Sequence, residues 1–308
     1  MSVSAMGFGC GSLMQSPFRR ERMAVLAGAL DSGITHFDTA RMYGLGRGEA
    51  ELGAFLRTIE RDTVTIATKF GIDVGDTARR LGRFQGPARA LLKRAPALRR
   101  IVKRQQAPSA IGRVYDAGIA ARSLDASLAA LGVDYVDILF VHAPRPQDTV
   151  AADELREFFE SARRQGKIRA WGVSQDEGLE SDFAGAFAPE GISQLRSDVL
   201  NPSPRPADLA FGVLDRPYRK LASALHADPA MARRWRETMQ TDPLAPGALS
   251  KLILASSAAV MGCSAILYSS TRPHRVAEAA SAISSPPDAE TVTRFLALVA
   301  EFRHGGVA

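Results

Sequence analysis

Asp31-Ser-Gly-Ile-Thr-His-Phe-Asp-Thr-Ala-Arg-Met-Tyr43 is the segment from which the architecture of this chain is most directly deduced. Gly33 marks the end of a helix, since glycine is the usual residue just after the last helical turn. The residues after it predict a short buried strand that Asp38 closes, and Tyr43 lies on the next loop. A carboxylate at a strand end and a phenol on the following loop are typical of an α/β-barrel active site.

Two further strand ends carry polar side chains. The β-branched segment Val64–Thr68 is followed by Lys69, and the apolar segment Val136–Val141 is followed by His142. Each residue alone also fits an ordinary role, as a surface lysine or a core histidine. Because the carboxyl ends of parallel strands meet at one mouth of a barrel, we expect both side chains to join the carboxylate and the phenol in one site.

The order of the elements favours a (β/α)8 TIM-type barrel. A strand near Met6, a helix over Arg19–Leu30, a helix over Gly48–Arg57 and a third strand over Thr63–Thr68 give a β-α-β-α-β rhythm, which predicts a parallel sheet. The later strands are predicted at Ala170–Ser174, Gly191–Arg196, Leu209–Leu214 and Ala265–Tyr268. A chain of 308 residues suits one such barrel, so residues 1–308 are predicted to form a single domain.

A long basic insertion is predicted after the third strand, over residues 71–117. Between Thr77 and Tyr115 there are eleven Lys and Arg residues and no acid, and removing them turns the net charge of +6 into −5. Leu91–Gln105 fits a basic helix. A connection this long is either a mobile loop or a functional lid, and its place at the barrel mouth favours the lid. Only two aromatic residues accompany the charges, so we do not expect nucleic-acid binding.

Composition bounds the remaining possibilities. The two cysteines, Cys10 and Cys263, form neither a CxxC motif nor a metal-ligand spacing, which favours a reducing cytoplasm and predicts no metal site. We see no leader peptide and no apolar run long enough to span a membrane. The oligomeric state stays open.

Beyond these patterns, the chain resembles the aldo-keto reductase family. The matching pieces are Gly7-Phe8-Gly9-Cys10-Gly11, Asp38–Tyr43 with Gly44 after it, Ala67-Thr68-Lys69-Phe70, Val141-His142 and Gly166–Ser174. The first two-thirds match in order and spacing and the last third loosely. The resemblance implies a nicotinamide-dependent carbonyl reductase whose four catalytic residues are Asp38, Tyr43, Lys69 and His142.

These four residue types suit carbonyl reduction, which needs a hydride on carbon and a proton on oxygen. A tyrosine phenol has an ordinary pKa of ~10, so Tyr43 is a weak acid unless its surroundings tune it. The ammonium of Lys69 favours the phenolate and Asp38 orders that ammonium. His142 is expected to hold the carbonyl oxygen.

The resemblance also implies contacts with NADP(H). The implied cofactor-binding residues are Gly9, Cys10, Gly11, Asp38, Ser174, Gln175, Gln194, Arg216, Ser270, Thr271, Arg275 and Glu278. Gln175 replaces the family's Asn, and Gln194 also fits an ordinary polar strand position. Arg216 lies where the family has an aromatic residue against the nicotinamide. Arg275 aligns with the residue that grips the 2′-phosphate, which favours NADPH, although a surface arginine is the alternative.

Three functions remain open from the sequence. The leading hypothesis is an NADPH-dependent reductase that turns an aldehyde or ketone into an alcohol, with Tyr43 as proton donor and a small carbonyl or alcohol compound as its partner. The same residues serve an NAD(P)-dependent dehydrogenase of sugars or alcohols. A nicotinamide-binding regulatory protein with little turnover is the third possibility.

Overall fold

Eight parallel strands close into a barrel in this computed structural model, which describes residues 3–73, 112–176, 187, 190–203 and 205–305. The barrel strands are β1 (Met6–Gly9), β2 (His36–Asp38), β3 (Thr65–Phe70), β6 (Val136–His142), β7 (Ile168–Gln175), β8 (Ile192–Arg196), β9 (Leu209–Phe211) and β10 (Ala265–Tyr268). Their order around the barrel is β1-β10-β9-β8-β7-β6-β3-β2. The predicted (β/α)8 barrel is therefore confirmed.

Helices follow most strands of the described chain and pack around the barrel. They are α1 (Arg19–Asp31), α2 (Gly48–Leu56), α3 (Ala117–Leu131), α4 (Ala152–Arg164), α5 (Asp215–Ala227), α6 (Pro229–Met239), α7 (Ala248–Met261), α8 (Pro273–Ser284) and α9 (Ala289–Gly305). Short 3₁₀ turns lie at Cys10–Gln15 and Arg61–Thr63. No helix within the described ranges is both long and apolar enough to cross a membrane.

Alternation along the strands separates an apolar barrel interior from a polar mouth. Side chains two residues apart share a face of a strand, so Ile138, Phe140 and His142 lie on one side of β6. The first two belong to the interior cluster with Ala67 and Leu209. Further towards the carboxyl ends of the strands the inward positions carry polar side chains, and the candidate site therefore lies at that end of the apolar cluster.

The third strand ends later than predicted. It was expected over Thr63–Thr68, but β3 spans Thr65–Phe70, so Lys69 lies within the strand. Hydrogen-bond pairing with β6 extends through Lys69↔Phe140 and Phe70↔Val141. Backbone pairing with β6 therefore includes Lys69 itself and the residues before and after it.

The predicted insertion is structured at both of its ends. Ile72–Asp73 (β4) and Gly112–Arg113 (β5) pair antiparallel, where the sequence indicated no strand. Helix α3 starts at Ala117 and is capped by Asp116, which accepts a hydrogen bond from the Ile119 amide. The predicted helix over Leu91–Gln105 and most of the predicted lid lie outside the described residues.

Between β9, the seventh barrel strand, and β10 the chain forms three helices, of which α5 and α6 precede α7. Helices α5 and α6 meet at Asp228, whose Oδ1 accepts from Ala230 N and Met231 N at 2.9 and 3.0 Å and so caps α6. Together with α7 and α9 they form a second hydrophobic cluster centred on Trp235 and Phe295. This cluster supports one wall of a groove described below.

Candidate active site

Asp38 and Lys69 form a buried ion pair at the mouth of the barrel. The Lys69 Nζ donates to Asp38 Oδ1 and, at 2.9 Å, to the Thr39 carbonyl. The side chains of Lys69 and Asp38 are only 1% and 4% exposed. Because β2 and β3 pair as Asp38↔Ala67, Lys69 lies two residues further along and its long side chain reaches back to the carboxylate.

Tyr43 is placed by a tight loop after β2. Its amide donates to the Ala40 carbonyl at 3.0 Å, and its own carbonyl accepts from Gly48 N at 2.9 Å. Arg41 anchors the middle of this loop to the fully buried Glu49 through a 2.5 Å contact from Nη1. The loop is therefore held on both sides of the tyrosine.

The Tyr43 ring lies between the ammonium and an imidazole. Lys69 Nζ is 5.3 Å from the centroid of the Tyr43 ring. The His142 ring is 5.9 Å away, centroid to centroid, and nearly perpendicular at 83°. Three strands and one loop thus bring the four predicted catalytic side chains together.

Electrostatics assigns each group a protonation state near neutral pH. Burial raises the pKa of Tyr43, and the charge of Lys69 opposes that rise. Burial alone would lower the pKa of Lys69, but the charges of Asp38 and Tyr43 outweigh it and the pKa is raised. Burial, followed by the charges of Lys69 and Arg113, holds the pKa of His142 well below its usual range. The site therefore combines a protonated phenol, an ammonium and a neutral imidazole.

Ser174 and Gln194 connect the opposite side of the mouth to the ion pair. These residues are register partners on β7 and β8, and Ser174 Oγ donates to Gln194 Oε1 at 2.5 Å. Gln194 Nε2 then donates to Asp38 Oδ2 at 2.8 Å. Gln175 follows at the end of β7 and is 2% exposed. Gln194 thus has a specific partner on each side, which an ordinary polar strand position does not require.

The residues at the carboxyl end of β1, Gly9 to Gly11, also lie at this mouth of the barrel. Gly9 pairs with Asp38 across β1 and β2, and Cys10 is fully buried, where burial raises its pKa. A Cβ atom on Gly11 would lie 3.7 Å from Tyr43 Cζ, so this glycine packs against the phenol ring. Of these three residues, Gly9 lies beside Asp38 and Gly11 lies against the Tyr43 ring.

A groove of about 1040 Å³ extends from the barrel mouth between α7 and α8. Ser270, Arg275 and Glu278 line it, together with Lys251 of α7 and Tyr218 of α5. Neither α7 nor α8 has a side-chain cap at its N-terminus, but the Ala248 amide of α7 donates to Ala245 O at 3.0 Å and α8 begins with Pro273, which has no amide proton. The groove is lined by two basic side chains, Lys251 and Arg275, and by two acidic ones, Asp215 and Glu278.

A model of the Aldo/keto reductase family matches residues 5–181, more than half of the chain. The chain belongs to this family. The match covers β1 to β7 and hence all four predicted catalytic residues, Asp38, Tyr43, Lys69 and His142. The family prediction made from the sequence motifs is confirmed.

Known relatives give the same family. A D-threo-aldose 1-dehydrogenase from Pseudomonas is 33% identical over 180 residues, which cover 56% of this chain and 50% of that protein. An aldo-keto reductase from Mycolicibacterium smegmatis is 30% identical over 238 residues, covering 75% and 69%. The chain spans about half the length of several curated relatives that it matches.

Solved structures share the fold. An aldo-keto reductase from Klebsiella pneumoniae, in complex with NADP and acetate, superposes with a TM-score of 0.61 at 20% identity, covering 96% of this chain and 92% of that one. At this identity the likeness concerns the barrel alone.

Of the family-derived cofactor positions after the seventh and eighth barrel strands, Arg216 and Thr271 are not among the residues that line the groove. Arg216 lies in the first turn of α5, and its Nη2 and Nε contact Asp198 Oδ2 at 2.7 and 3.1 Å. Thr271 lies in the turn after Ser270 and is not among the residues that line the groove. Arg216 thus has a buried carboxylate as its partner rather than an open stacking face.

Sequence reasoning missed the aromatic residue at the end of the seventh barrel strand. The strand was predicted to run to Leu214, but β9 ends at Phe211, which pairs with Arg196. The Arg196 guanidinium lies 4.8 Å from the centroid of the Phe211 ring. The signal available was Gly212, a frequent strand terminator, which here has a φ of 75°.

Proposed function

We propose that this aldo/keto reductase reduces an aldehyde or ketone to an alcohol with NADPH. The observation that carries the proposal is the buried Asp38–Lys69 pair beside a protonated Tyr43 and a neutral His142. A carbonyl oxygen between the phenol and the imidazole would accept two hydrogen bonds as negative charge develops on it.

Each side chain has a defined task in this reaction. The bound nicotinamide supplies the hydride that adds to the carbonyl carbon. Tyr43 gives its phenolic proton to the carbonyl oxygen, and the ammonium of Lys69 stabilises the phenolate that remains until solvent protonates it again. His142 donates a hydrogen bond from its neutral ring and so fixes the oxygen without competing as an acid. Asp38 holds Lys69 in place.

The residues present fit a nicotinamide dinucleotide. Ser174 and Gln194 offer hydroxyl and amide groups to the carboxamide, and Phe211 offers a ring face at the end of β9. In the groove, Arg275 is exposed at the start of α8, where it would hold a 2′-phosphate, and Glu278 lies one turn further on. The choice of NADP(H) as the cofactor is supported by the aldo-keto reductase of the same fold from Klebsiella pneumoniae, which is solved in complex with NADP.

The test is nicotinamide absorbance with a panel of aldehydes and ketones, run with NADPH and with NADH, using Tyr43→Phe as the matched inactive control. We expect oxidation of NADPH that Tyr43→Phe abolishes. Turnover that survives this substitution would contradict the mechanism. Binding of NADPH without turnover of any carbonyl would favour the regulatory alternative.

The second candidate is oxidation of a sugar at its anomeric carbon. The observation that favours it is the 33% identity with a D-threo-aldose 1-dehydrogenase over 180 residues. In the direction of oxidation Tyr43 acts as the base. The rate of oxidation should therefore rise with pH over the range in which the rate of reduction falls. Adding aldoses with NADP⁺ or NAD⁺ to the panel separates the two directions.

A further inference from the structure

The strand that carries His142 extends beyond its neighbour. β3 and β6 pair as far as Phe70↔Val141, and there β3 ends. The His142 carbonyl therefore lacks a strand partner on that side. Tyr115 supplies one, since its hydroxyl donates to His142 O at 2.9 Å.

Gly71 makes room for this contact. Its φ of 103° lies where glycine is favoured, and a Cβ atom there would be 2.2 Å from Tyr115 Cε1. The Tyr115 ring fills the space and is only 2% exposed. The backbone just after Phe70 is thus shaped around a side chain from the far end of the insertion.

Ala143, the next residue after His142, has an unusual backbone conformation. Its φ is 45°, a conformation that is unfavourable for an alanine and persists only where the surrounding structure fixes it. The Ala143 amide donates to Ser174 O at 2.6 Å, and its carbonyl accepts from Arg113 Nη1 at 2.7 Å. Arg113 Nη1 also contacts the Tyr115 hydroxyl at 3.2 Å. Arg113 and Tyr115 therefore act on one turn.

We propose that Arg113 and Tyr115 are positioning residues that hold the His142–Ala143 turn and so set the orientation of the His142 imidazole. The position of the imidazole depends on the position of the His142 backbone. A displacement of a reacting group by ~1 Å lowers the reaction rate about 10²-fold. The role in catalysis rests on the function proposed above, whereas the orientation of the ring does not.

The first test measures the ring itself. NMR spectra of the histidine imidazoles are recorded for the free protein, with the His142 signals identified by their loss in His142→Gln. We expect Tyr115→Phe and Arg113→Met each to shift these signals. The control is Tyr135→Phe, which also removes a bonded hydroxyl but lies before β6 at the opposite end of the barrel. Unchanged His142 signals in both Tyr115→Phe and Arg113→Met overturn the proposal.

The second test separates positioning from stability. Removing one hydrogen bond of ordinary strength by Tyr115→Phe should lower kcat about fivefold and leave the Kd for NADPH unchanged. Arg113→Lys, which retains a charged donor, should recover part of the turnover lost in Arg113→Met. A fall in melting temperature with wild-type kcat would show a purely structural role. If the wild type reduces no carbonyl, the proposed function fails, and the imidazole spectra still decide whether the turn orients His142.

Discussion

Replacing Lys69 by methionine tests the charge at the centre of the proposed mechanism. The substitution keeps an unbranched side chain of similar length and removes the ammonium that contacts Asp38 and approaches the Tyr43 ring. That ammonium opposes the rise in the pKa of Tyr43 caused by burial. In Lys69→Met we therefore expect the pKa of Tyr43 to rise further.

The size of the effect follows from the geometry. A unit charge 5.3 Å from the ring centroid interacts by about 3 kcal/mol at an effective dielectric constant of ~20. Loss of that stabilisation from the phenolate corresponds to roughly a hundredfold fall in kcat. In reduction the protonated phenol is the active form, so activity declines as pH rises through its pKa. A higher pKa therefore moves this alkaline decline to higher pH.

The assay is kcat against pH for the wild type and Lys69→Met. A profile that is scaled down with unchanged inflections would refute the reasoning. Stability needs its own control, because breaking a buried ion pair leaves an unpaired charge and costs about 3–5 kcal/mol. The double variant Asp38→Asn/Lys69→Met removes both charges. We expect it to regain much of the free energy of unfolding without regaining turnover, and recovery to within threefold of wild-type kcat would contradict the role of Lys69.

Three further outcomes are expected. Tyr43→Phe keeps the ring but loses the proton, so kcat should fall about 10²–10⁴-fold while the Kd for NADPH, measured by fluorescence, stays constant; turnover within threefold of wild type would exclude Tyr43. Arg275→Ala should weaken NADPH about tenfold to a hundredfold and spare NADH, and equal losses for both cofactors would contradict the 2′-phosphate assignment. Burial lowers the pKa of His36 to about 4 from 6.5, so the unfolded chain binds more protons and stability should fall as pH drops below 6.5. Urea titrations of His36→Gln should show a shallower acid loss, and an unchanged slope would count against this explanation.

Much of the barrel and of the candidate site could be predicted from the sequence because both depend on local order. A strand shows its inward positions by alternation, and parallel strands bring their carboxyl ends to one mouth. Asp38, Lys69 and His142 each close or nearly close a strand, so their convergence required no knowledge of contacts. The Ser174–Gln194 pair was expected from the family motif, and the structure shows it bonded to Asp38.

Positions that depend on where a strand stops were harder to predict. Leu209–Leu214 contains no charged or polar side chain, Gly212 gives only a weak sign of a strand end, and the pairing with β8 and β10 shows that β9 ends at Phe211. The ion pair between Arg216 and Asp198 is likewise not visible in the sequence, and the cofactor role of Arg216 stays a prediction. Strand ends are set by neighbours distant in the chain, which a linear pattern does not contain.

The turn after His142 is the clearest case of tertiary control. Nothing near Ala143 in the sequence predicts a positive φ at that residue. Its conformation is fixed by Arg113 from the other side of the insertion and by Ser174 from the next strand. Periodicity specifies which face a residue occupies, because that depends on neighbours two or four positions away. The energy that holds this strained backbone comes from hydrogen-bond partners about thirty residues distant in the chain, the Arg113 donor and the Ser174 acceptor, and only folding brings them together.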